Sequence, residues 1–131
     1  MSVLITDNGF STDDWDLAYD LPWALDLASD TDPTTLAGKI DGVKMIRVDF
    51  PSFVDGRGFT IARQLRLMGY TGRLRARGHV ISDQYAMARR SGFDEVQISD
   101  DLAKRQPEMD WVFRANWQDH DYQSRLRAKS A

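Results

Sequence analysis

A chain of 131 residues, 42% apolar and 28% charged, is long enough for one hydrophobic core and too short for two. Its formal net charge of −3 is unevenly spread: residues 1–55 carry 11 acids and 3 bases, residues 56–90 carry eight arginines against Asp83 alone, and residues 91–131 return to a slight acidic excess. With no cysteine, the chain cannot form disulfides, ligate an iron–sulfur cluster through thiolates or use a thiol nucleophile. No apolar run approaches the roughly 20 residues of a membrane span, and Met1–Phe10 lacks the pattern of a signal peptide, so a cytoplasmic protein is expected. An acidic balance, with no aromatic platform beside the arginines, argues against nucleic acid.

Val3-Leu4-Ile5-Thr6 reads as a first short strand and Ala24–Ala28 as a second, with the acidic, tryptophan-bearing stretch Asp13-Asp14-Trp15 between them. Asp32-Pro33 places an N-cap and a first-turn proline at the head of a short helix running to Ile40. Val43–Phe50 is β-branched and apolar enough for a buried strand, stopped by Pro51. Phe59, Ala62, Leu65 and Met68 recur at helical spacing up to Gly69, and Leu74 and Ala76 alternate with Arg73, Arg75 and Arg77 in the period of a strand. A helix capped by Ser82 runs to Arg90. It ends at Gly92-Phe93, which shares with Gly69-Tyr70 the glycine-then-hydrophobic form of a Schellman cap. Val96-Gln97-Ile98 is the next strand, and Pro107 opens a last helix through Phe113.

Strands alternating with single helices predict an α/β fold: one small domain of βα units on a mainly parallel sheet of four or five strands, either open or a half-barrel. A half-barrel with arginines on its concave face would need covering, which makes a homodimer the expected assembly in that case. The tail from Asn116 is polar but carries Trp117 and Tyr122, as expected of a segment that docks on its own domain or on a partner.

Ligands of parallel α/β sheets bind at the carboxyl ends of the strands. That edge is built from Ser29-Asp30, Phe53–Gly58, Gly78–Asp83 and Ser99–Asp101. In Asp55-Gly56-Arg57-Gly58, two glycines admit a ligand to the backbone, the helix start offers N–H groups, and Arg57 supplies a planar fork. This is a candidate oxyanion cradle; the alternative is that Asp55 caps the helix and the glycines only turn the chain. It is neither a dinucleotide fingerprint, which would need glycine at Ile61, nor a P-loop. Three arginines on one strand face cannot be buried unpaired. They are solvated, paired with the acidic N-terminal region, or lining an anion site or an interface, with Arg77 nearest the carboxyl edge. His79 and Asp83 on the same edge are candidates for a proton donor and its orienting carboxylate, against plain roles as a surface group and a helix-start acid. No metal site is indicated, and no cofactor motif identifies a redox group.

Taken together, Phe50-Pro51-x-Phe53, Asp55-Gly56-Arg57-Gly58-Phe59-Thr60, Ala62-Arg63-x-Leu65-Arg66, Gly69-Tyr70-x-Gly72-x-Leu74-Arg75-Ala76-x-Gly78-x-Val80, Asp83-Gln84 and Arg90-x-Gly92-Phe93-Asp94 resemble the bacterial DUF934 family. The similarity is dense over residues 46–98, thinner before them, and returns at Tyr122-Gln123. Members of that family are labelled oxidoreductases of sulfite reduction. The resemblance therefore implies an accessory protein of assimilatory sulfite reduction, nominally an oxidoreductase, and a small oxyanion held by Arg57 and Arg77 in the candidate cradle is consistent with it. The other reading is a non-catalytic module that presents its arginines to an acidic partner such as a sulfite reductase subunit.

Overall fold

The computed structural model describes residues 2–20 and 22–117. Six strands form one open sheet: β1 (Ser2–Thr6), β2 (Gly9–Ser11), β3 (Ala24–Leu27), β4 (Met45–Phe50), β5 (Arg73–Gly78) and β6 (Glu95–Ser99), in the spatial order β2-β1-β6-β5-β4-β3. Strands β3 to β6 are mutually parallel, and β1 and β2 add an antiparallel margin. The expectation of four or five strands falls one short because β2 is only three residues long, and the turn at Asp7-Asn8 folds it straight back on β1.

The parallel strands lie side by side in chain order, with no reversal. Crossovers of one hand then lay their helices on the same face. The crossover helices are α1 (Arg57–Leu67) and α2 (Tyr85–Ser91); α3 (Asp100–Arg105) and α4 (Glu108–Val112) follow β6. Against them the sheet presents Ile5, Ile46, Val48, Phe50, Leu74, Ala76, Val96 and Ile98, which pack with Phe59, Ala62, Leu65, Tyr85, Ala88 and Trp111 into one core. Phe50 sits at its centre, its ring 5.0 Å from Phe59 and 5.8 Å from Phe93. Gly58 lies directly on that ring, and a Cβ there would run into it.

Both glycine caps form as expected. Gly69 and Gly92 have φ of 97° and 118°, and the N–H groups of Tyr70 and Phe93 reach back to the carbonyls of Leu65 and Ala88. Three assignments differ by more than a residue or two at an element's end. The helix after Asp32 is a single 3-10 turn, Pro33–Leu36. Ser82 does not cap α2: it lies in a 3-10 turn, Ser82–Gln84, and both its N–H and its hydroxyl donate to Gln106 Oε1. Asp100-Asp101 belongs to α3, whose N-cap is Ser99, its Oγ accepting from the Leu102 N–H. Acids in the first turn of that helix and Lys104-Arg105 in the last suit its dipole. The tail folds onto its own domain as far as Trp117, whose ring lies 4.8 Å from the Arg89 guanidinium and whose Nε1 donates to Asp7. Tyr122-Gln123 lies outside the described residues.

Candidate functional site

The face of the sheet turned away from the helices is polar. Period-2 alternation and the register β3–β4–β5–β6 align Asp26, Arg47 and Arg75 across neighbouring strands, with Glu95 beside Arg75 and, one step toward the carboxyl edge, Asp49, Arg77 and Gln97. Arg75 has 0% exposure and donates to five side chains at once: Nη1 to Asp13 (2.8 Å), Tyr19 Oη and Gln97, Nη2 to Asp14 (3.2 Å), and Nε to Glu95. Arg73 donates to Glu95 at 2.6 Å and to Asp14 at 2.9 Å. Arg47 forks onto Asp26 and lies 3.7 Å from the Tyr19 ring centre. The acidic N-terminal stretch is thus the partner of two of the three ladder arginines. For Asp13, partial burial pushes the carboxyl upward, but the Trp15 N–H and Arg75 outweigh it. Asp14 is held down chiefly by Arg73, so both carboxyls sit below the ordinary aspartate range.

Arg77 stands apart from this network. Its nearest acid is Asp49, at 3.9 Å, and both side chains are close to half exposed. Among the described residues it makes no hydrogen bond to a side chain. It lines a cleft of about 390 Å³ at the carboxyl ends of β4, β5 and β6, together with His79, Asp49, Gln97, Ser99 and Ser2. Gly78 shapes this edge: with φ at 115° it passes so close to Phe50 that a Cβ would stand 2.7 Å from the Phe50 carbonyl oxygen. That turn lets the His79 N–H donate to the same carbonyl at 2.8 Å. The His79 ring then has Nδ1 3.3 Å from the Phe50 oxygen and stands edge-on to Phe53. An Nδ1–H tautomer satisfies that carbonyl and leaves Nε2 as the ring's uncommitted nitrogen.

The expected cradle is arranged differently. The Arg57 fork closes on Asp55 (Nε–Oδ1 3.0 Å, Nη2–Oδ2 2.8 Å), Nη2 also donates to Ser29 Oγ, and the Arg57 backbone N–H donates to Asp55 Oδ1. The chain's own carboxylate therefore occupies the position expected for an external oxyanion. Arg57 holds that carboxyl far below its usual range. Gly56 takes the N-cap position, and Gly58 is required by its contact with Phe50. Arg57 lines a separate groove with Ser29, Asp30, Asp32 and Thr60, so the structure does not bring Arg57 and Arg77 into one pocket. Nor does it pair His79 with Asp83, whose carboxylate accepts from Arg114 at 2.6 Å. Arg66 donates to the carbonyls of Tyr70, Gly72 and Gly92 and to Asp94.

Sequence reasoning placed Ser99 on this edge but missed Asp49, Gln97 and Ser2. The alternation that placed Arg73, Arg75 and Arg77 on one face carries the same information for Asp49 and Gln97, but only the strand register brings them together. A wider groove of about 690 Å³ at the amino edge is built largely from the loops around Gly38, Gly42, Gly69 and Gly72. Its phenol, Tyr70, is turned inward onto the Val43 carbonyl (3.0 Å), and burial pushes it up to about 12. Among the described residues no group of three or more His, Cys, Asp or Glu side chains is placed to hold a metal ion, and no helix is long and apolar enough to cross a membrane.

No curated protein and no solved structure matches the chain. A family model does: DUF934, described as a bacterial protein of unknown function, matches residues 24–131, which include β3 to β6 and every cleft residue except Ser2. The chain belongs to the DUF934 family.

Proposed function

We propose that this protein binds a small oxyanion in the cleft around Arg77 and His79, and that it serves as an accessory protein of assimilatory sulfite reduction. One observation carries the binding step: Arg77 is a guanidinium at the carboxyl edge of a parallel sheet with a carboxylate only at 3.9 Å, whereas Arg73 and Arg75 beside it are fully engaged. A guanidinium fork suits the planar pair of oxygens that an oxyanion presents. Ser2, Ser99 and Gln97 line the same cleft as further donors, and His79 Nε2 is the group that would give or take a proton. The sulfite assignment comes from the family resemblance; the chemistry of the cleft, cationic and hydroxyl-rich, is compatible with it.

Titration calorimetry of the full chain with sulfite and with sulfate, at constant ionic strength, tests the reading. Wild type should bind, Arg77→Ala should lose about tenfold or more in affinity, and Arg57→Ala should bind as wild type does. Loss of binding in Arg57→Ala with Arg77→Ala unaffected would return the site to the Asp55–Gly58 loop. Absence of binding by wild type would end the oxyanion reading.

A further inference from the structure

We propose that the arginine face of the sheet is a docking surface for an acidic peptide segment of a partner protein, and that the chain's own residues 13–19 occupy that surface in cis. The proposal does not rest on the oxyanion reading, since it concerns Arg47, Arg73 and Arg75 rather than the open cleft.

The strap itself shows what the face recognises. Two adjacent carboxylates, Asp13 and Asp14, reach Arg75 and Arg73, and an aromatic ring, Tyr19, covers Arg47. The face thus reads side chains: consecutive acids followed, a few residues on, by an aromatic. The strap has no regular secondary structure, and among the described residues the hydrogen bonds that join residues 12–19 to the sheet run through side chains. A segment held in this way can be replaced by another that carries the same groups.

Displacement is also physically inexpensive. Each strap residue from Thr12 to Asp20 is exposed or half-exposed, whereas Arg75, Glu95 and Gln97 beneath are buried. Lifting the strap would uncover charged and amide groups that water can solvate, and it would leave the apolar core on the opposite face untouched. The seat is also imperfect: among the described residues the buried Trp15 indole N–H has no hydrogen-bond partner, so the docked strap carries an uncompensated donor. A tethered strap competes at high local concentration and lowers the apparent affinity of any incoming segment. Weakening the strap should therefore reveal the surface.

The probe is a fluorescein-labelled peptide with the sequence of residues 11–20, followed by anisotropy against the full-length chain, with a control peptide in which every aspartate is asparagine. Wild type should bind weakly, and Asp13→Asn/Asp14→Asn should bind about tenfold more tightly. Trp15→Ala, which spares the carboxylates but loses the ring packed beside Tyr19, a loss larger than the relief of one unpaired N–H, should shift the same way and carries the test if the double variant fails to fold. Adding Arg73→Gln to either variant should reverse the gain, and the asparagine peptide should not bind. Folded variants that bind no better than wild type, or equal binding of the control peptide, would overturn the proposal. So would a wild-type dimer in sedimentation velocity that is lost in Asp13→Asn/Asp14→Asn, because the occupant would then be the strap of a second copy.

Discussion

The same parallel strands close their two faces by opposite means. Toward the helices, Ile46, Val48, Phe50, Leu74, Ala76 and Val96 are at most 1% exposed and pack into one apolar core. Toward the strap, Arg47, Arg73, Arg75, Glu95 and Gln97 are joined to one another by directional, charge-assisted bonds, and Arg73 and Arg75 extend these to Asp14 and Asp13 of a segment that is itself largely in water. Burial of apolar area stabilises in proportion to area, at about 25 cal/mol per Å². Ion pairs nearly cancel against desolvation unless one partner is removed. The helix face therefore holds the fold, and the other face is free to carry a charge pattern whose value is recognition.

The sharpest way to break this contrast is to create a cavity on the apolar face. Phe50→Ala should cost about 3–5 kcal/mol in chemical denaturation, since the ring touches both Phe59 and Phe93 and its neighbours cannot collapse into the space. Arg75→Ala should cost less, about 2–3 kcal/mol, because Glu95 keeps Arg73 while Asp13 and Asp14 can turn to water. Arg75→Met should recover part of that loss by refilling the volume. If Arg75→Ala proved as costly as Phe50→Ala, the charged face would be structural in the same sense as the core, and the contrast would fail.

Much of this architecture is legible in the sequence because each signal is local. Asp32-Pro33, Gly69-Tyr70 and Gly92-Phe93 mark real ends, and the alternation of Arg73, Arg75 and Arg77 with Leu74 and Ala76 places the arginines on one face. What is not legible is pairing across the sheet. Nothing local says that Asp13 will meet Arg75, 62 residues later, or that Asp49 and Gln97 will flank Arg77. The Asp55–Gly58 loop misleads for a related reason: Asp55 and Arg57 are two residues apart, and the acid reaches the base before any ligand does. Helix α3 was within reach, since Ser99, two acids and a basic last turn spell a capped helix.

The strap should respond to pH and salt where the core does not. Asp13 and Asp14 have carboxyls lowered by their hydrogen bonds and by Arg75 and Arg73. Their contribution is therefore fully present above the ordinary aspartate range and is lost as pH falls through the lowered values. The difference in fluorescence between wild type and Trp15→Phe should change between about pH 5 and pH 2, before the global acid transition. Asp13→Asn/Asp14→Asn should cost no more than about 1 kcal/mol, because Glu95 keeps both guanidiniums paired and water reaches Arg75 once the strap lifts, and the cost should narrow toward zero at high salt. A cost that salt leaves unchanged would place the strap among the fold's structural elements.

The smallest expected change in stability falls on Arg77. With a half-exposed side chain and a carboxylate only at 3.9 Å, Arg77→Ala should leave the denaturation midpoint within about 0.5 kcal/mol of wild type. The neighbouring Asp49→Asn should be similarly mild in stability, yet it should tighten anion binding by removing the carboxylate that lies 3.9 Å from the guanidinium. The two substitutions thus move affinity in opposite directions while stability stays level, which is the signature of a site laid on a fold rather than built into it. Should Arg77→Ala unfold the protein instead, the 3.9 Å pair would be a structural bond, and the cleft would lose the cation that defines it.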